Sequence, residues 1–62
     1  MKPVNLINRY NNEKFICENV REIEQIDGIE YLRVRRAGEH RWFLMRRDVL
    51  ERVDTVQKRQ YN

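Results

Sequence analysis

Serine is absent from this chain of 62 residues, and cysteine, histidine, proline, tryptophan and threonine each occur once. These shortages exclude most chemistry, because catalysis needs a nucleophile with its base, a metal or a cofactor cradle. Cys17, the only thiol, rules out an internal disulfide, a cysteine-based zinc cluster and a redox pair. His40 has no second histidine with which to hold a metal, and its place beside a predicted turn puts it in solvent. Gly28 and Gly38 are the only glycines, so neither a phosphate-cradling loop nor a dinucleotide fingerprint is present. The expectation is a non-enzymatic chain with no cofactor and no metal.

Long hydrophobic runs are also missing. The longest apolar run, 42–45, falls far short of a membrane span, and residues 1–6 hold no apolar stretch of signal-peptide length. With a free thiol and no export signal, the cytoplasm is the expected compartment, and no membrane partner is expected.

What the chain does hold is charge and enough apolar residues for a core: 37% charged against 40% hydrophobic. A disordered chain of this charge content would carry fewer aromatic and β-branched residues, so a folded chain is expected. Its length suits one small domain over 1–62, with a core so limited that a homodimer hiding more apolar surface is one expectation.

The net charge of +3 is unevenly spread. Residues 13–30 carry six acids (Glu13, Glu18, Glu22, Glu24, Asp27, Glu30) against Lys14 and Arg21, a balance of −4. From Tyr31 onward seven arginines, Lys58 and Arg59 oppose Glu39, Asp48, Glu51 and Asp54, a balance of +5. Such asymmetry fits a polyanionic partner, or equally two neighbouring segments that neutralise each other.

The strongest local signal is Asp27-Gly28, flanked by alternating segments, which reads as a two-residue type I′ hairpin. That turn sets Ile26 against Ile29, Glu24 against Tyr31, Ile23 against Leu32, Glu22 against Arg33 and Arg21 against Val34. Ile23, Leu32 and Val34 then share a core face, and Glu22, Glu24, Tyr31, Arg33 and Arg35 the other. Upstream, 4–10 reads as a first strand ending in the turn-prone Asn11-Asn12.

Downstream, Ala37-Gly38-Glu39 reads as a three-residue turn into a strand over 40–45, with Val34 opposite Trp42 and Leu32 opposite Leu44. Asp48 and Glu51 resemble a capping box before a helical turn through Val49, Leu50 and Val53. The tail from about 55 reads as mobile or as a last short strand.

The expected fold is mainly β: a small antiparallel meander or SH3-like barrel of four to five strands with one short C-terminal helical turn. The alternative is an α+β fold with a helix at 13–26, where Ile16, Val20 and Ile23 also fall at helical spacing. As a strand, this segment needs a bulge or bend near 18–20, since Phe15 and Cys17 share the parity of Ile23 and Val20 does not.

In that register the outer face presents Tyr31, Arg33 and Arg35 beside Arg41, Phe43 and Met45. Arginine forks suit phosphates and aromatic faces stack on bases, which favours nucleic acid as partner. The same residue types are enriched at the centres of protein interfaces, which favours another protein, in an inhibitory or regulatory role. Residue chemistry leaves both open. The register also opposes Arg35 to Arg41, an unfavourable like-charge pair that Glu22 would have to relieve. Glu22 and Glu24 form a carboxylate pair of the kind glycosidases use, but opposite Arg33 and Tyr31 they read as cross-strand ion pairs.

Overall fold

A computed structural model describes residues 2–53. The described residues fold into a curled, antiparallel half-barrel of six strands: β1 (Val4–Asn8), β2 (Lys14–Cys17), β3 (Ile23–Ile26), β4 (Ile29–Arg35), β5 (Trp42–Arg46) and β6 (Leu50–Arg52). A 3-10 turn, Arg47–Val49, joins the last two. The predicted tail from about 55 lies outside the described residues.

β1 stops at Asn8 because that side chain starts the turn. Its Oδ1 accepts from the Tyr10 amide at 2.9 Å, and its carbonyl accepts from the Asn12 amide at 2.8 Å. Asn12 takes φ 62°, a conformation that asparagine tolerates better than most residues. The strand expected over 4–10 is therefore shorter, and the turn begins two residues earlier than its Asn-Asn signal.

Residues 13–26 are not helical. Lys14–Cys17 pairs with β1, from Val4 against Cys17 to Ile7 against Lys14. The chain then bends over 18–22, where Asn19 Oδ1 accepts from the Arg21 amide and the Asn19 carbonyl accepts from the Glu22 amide. Such local side-chain bonds compete with helix formation, and here they break one long strand into β2 and β3 at the expected bend.

The β3–β4 hairpin has the predicted register from Ile26 against Ile29 to Ile23 against Leu32. Asp27 at φ 52° and Gly28 at φ 79° supply the two positive angles of a type I′ turn. Further pairing of Glu22 with Arg33 and of Arg21 with Val34 does not form, because the chain has already turned away into the bend.

β4 is the hub of the sheet. One edge meets β3, then β2 through Ile16 against Arg35, and the other carries β5. β6 returns to β1, with Leu6 against Arg52 and Asn8 against Leu50. No capping box forms at Asp48 and Glu51. The 3-10 turn has no side-chain cap, Asp48 is held by Arg46, and Glu51 lies in β6, because the chain extends to complete the edge of β1.

Leu6, Phe15, Cys17, Leu32 and Val34 form the buried core, flanked by Val4, Val20, Phe43, Met45 and Leu50. Phe15, Val34 and Cys17 are the most deeply enclosed. Ile23 lies opposite Leu32 as expected but is exposed, since β3 has no neighbour beyond it among the described residues. No described helix is long and apolar enough to cross a membrane.

Candidate interaction face

The outer face of β4 carries Tyr31, Arg33 and Arg35, as the hairpin dictates. Its neighbours on β5 are not those expected. Tyr31 stands opposite Arg46, Arg33 opposite Leu44 and Arg35 opposite Trp42, while Leu32 meets Met45 and Val34 meets Phe43. The ladder is thus displaced by one residue, and one residue of displacement exchanges the two faces of a strand. Phe43 and Met45 pack on the core; Trp42, Leu44 and Arg46 take the outer positions. Arg41 lies before β5, exposed and outside the ladder.

The cause is the loop. A turn does form, with the Glu39 amide donating to the Arg36 carbonyl at 3.1 Å and Gly38 at φ 82°. His40 and Arg41 then remain in the loop, and Arg35 avoids the opposed Arg41. Packing rewards this register: Phe43 meets Phe15 edge to face at 5.8 Å between ring centroids. Arg36, bonded to Glu13 at 2.8 Å, lies over both rings, 5.2 Å from Phe43 and 5.6 Å from Phe15.

Trp42 is 53% exposed, and the Arg33 guanidinium lies 4.5 Å from its ring centroid. Arg33 also donates to Glu24 through Nε and Nη2, an interaction that raises its already high pKa. The other arginines of the face are held likewise. Arg35 donates to Glu18 at 3.1 Å and to the Glu39 carbonyl, Arg46 to Asp48 at 2.8 Å, and Arg47 to Glu30 at 2.9 Å. Glu13, Glu18, Glu24 and Glu30 of the acidic segment thus each hold an arginine of the basic one. The segregated charges neutralise each other across the fold, and Glu18, not Glu22, serves Arg35.

A groove of about 410 Å³ opens on this face, with Trp42, Ile16, Arg33, Arg35, Glu18 and Glu22 among its walls. It lies where residues 18–22 arch away from β4. Trp42 was missed as a site residue because 42–45 is apolar at every position and carries no period-two signal. The like-charge opposition of Arg35 and Arg41 was the one sequence feature that spoke against the expected register.

Among the described residues no group of three histidine, cysteine or acidic side chains is placed to hold a metal. His40 is exposed. Cys17 is fully buried, and burial pushes its thiol pKa up, away from the reactive thiolate. The chain matches no family model, no curated protein and no solved structure.

Proposed function

We propose that this chain is a non-enzymatic protein-recognition module that binds through the outer face of β4 and β5, with Trp42 as its anchor. The observation that carries this reading is a half-exposed indole in a face where Arg33, Arg35, Arg46 and Arg47 are already paired with carboxylates. Tryptophan, tyrosine and arginine dominate the energetics of protein interfaces, and Trp42, Tyr31 and Arg33 supply all three. A phosphate backbone would have to displace Glu18, Glu24 and Glu30 from their arginines before gaining the same contacts. Nucleic acid is therefore the second reading, supported by the stacking surface of Trp42 next to the exposed Arg41.

The connectivity supports an SH3-like reading of the architecture: a bent second strand, a meander, and a 3-10 turn into a last strand beside the first. Architecture assigns no partner. The buried free thiol fits a reducing compartment, and the cytoplasm remains the proposed location. The exposed Ile23 and Ile26 of β3 fit a homodimer, as a further form of protein recognition.

A photo-crosslinking residue in place of Tyr31, used in native cells with and without Trp42→Ala, tests the proposal. We expect a discrete protein adduct that disappears with Trp42→Ala. Adducts to nucleic acid alone, or a protein adduct indifferent to Trp42, would overturn it.

A further inference from the structure

The groove beside Trp42 owes its existence to an interruption in strand pairing. Along one edge of β4, Leu32 is paired with Ile23 and Arg35 with Ile16, while residues 18–22 arch away between them. Arg33 and Val34 consequently line an open groove instead of lying beneath a neighbouring strand. Trp42, Glu18 and Glu22 complete its walls.

Charge balance then selects the occupant. Arg33 is bonded to Glu24, and Arg35 to Glu18 and the carbonyl of Glu39. Two carboxylates, Glu18 and Glu22, line the groove with two guanidinium groups, one of which, Arg33, is already neutralised by Glu24 from outside the groove; Glu22 is exposed with no ion pair among the described residues. A side chain that is both cationic and aliphatic satisfies these walls together. Its stem covers the exposed indole and its charged end meets Glu22, the division of labour that long basic side chains adopt at surfaces.

Resting on the protein-recognition reading above, we propose that the groove binds an extended protein segment presenting a lysine or arginine, whose side chain lies against Trp42 with its charge toward Glu22.

Trp42 is the only tryptophan, so its fluorescence reports occupancy of the groove without a label. Short acetylated and amidated peptides bearing lysine or arginine at alternate positions would be titrated into the full chain. Matched glutamine and glutamate peptides, and a single-stranded oligonucleotide, serve as comparisons. We expect saturable emission changes with the basic peptides, weaker ones with glutamine and none with glutamate. Glu22→Gln should weaken basic-peptide binding by roughly 1.5-fold to fivefold, the range of one exposed ion pair. Asp27→Asn, at the hairpin tip, should leave it unchanged.

Equal responses to glutamine or glutamate peptides, or an affinity indifferent to Glu22→Gln, would overturn the cationic assignment while leaving protein recognition standing. A response to the oligonucleotide alone would overturn it too. Silence from every peptide, with no Trp42-dependent protein adduct, would remove both.

Discussion

Arg35 stands directly opposite Trp42 in the β4–β5 ladder, and this pairing decides which side chains of β5 enter the core. Had Val34 opposed Trp42, the indole would be interior and Phe43 exterior. The stability of two variants separates these arrangements. Phe43→Ala, which removes the edge-to-face partner of Phe15, should cost about 2–4 kcal/mol. Trp42→Ala should cost about 1 kcal/mol or less, because the ring is half in solvent. Urea midpoints in the reverse order would refute the register.

The hairpin turn carries a conformational demand that contacts do not obscure. A Cβ built at Gly28 meets nothing within 4 Å, yet φ is +79°. Gly28→Ala should therefore destabilise by about 1–2 kcal/mol through backbone strain alone. Asp27→Asn, which suits the same turn, should be neutral or slightly stabilising. Thermal melts of the two variants against the parent measure both, and an unchanged Gly28→Ala melt would contradict a type I′ turn.

How far the sequence could be read follows from these two loops. Asp27-Gly28 is a turn whose length and geometry are written in its residue types, so the β3–β4 pairing was legible to Ile23 and Leu32. The loop over 36–41 contains one glycine and no such signature. The strand it leads into has apolar side chains on both faces, so alternation offered no arbitration. Apart from the like charges of Arg35 and Arg41, only tertiary packing, through Phe15 against Phe43, distinguishes the two registers. The bend at 18–22 was visible as a change of parity, whereas the groove it creates depends on where the chain arches, which no local pattern encodes. The sixth strand was hidden for a similar reason: Leu50–Arg52 pairs with the free edge of β1, more than 40 residues earlier in the chain, and no local pattern encodes that return.

Cys17 links burial to pH. Desolvation is the main cause of its raised thiol pKa, outweighing the lowering by the Asn19 backbone. A raised folded-state pKa means that its contribution to stability is complete below the ordinary thiol range. It declines as pH rises above about 8.5, where the unfolded thiol ionises first. The urea midpoint of the parent should thus fall more steeply above that pH than the midpoint of Cys17→Ala. Parallel curves would show that the thiol is not desolvated. Disulfide-exchange reagents should modify Cys17 only as fast as the sheet opens.

Releasing the paired arginines should change what the face attracts. With Glu18, Glu24 and Glu30 all replaced by glutamine, Arg33, Arg35 and Arg47 lose their carboxylates together. The variant should acquire affinity for single-stranded nucleic acid, with log K falling against log salt by about 0.7 for each phosphate engaged. The parent should bind far more weakly. Filter binding or anisotropy at several salt concentrations reads both, and equal affinities would show that the carboxylates do not shield the face.

The division of charge along the chain also acts before any strand exists. An acidic stretch followed by a basic one draws the two halves of an unfolded chain together, over distances that salt shortens to about 10 Å or less at physiological strength. Partners far apart in sequence, such as Glu13 and Arg36, would begin their search already biased toward one another. The separation of sign that first suggested an external polyanion thus becomes a guidance field for the chain's own collapse, felt more in the speed of folding than in the depth of the final minimum.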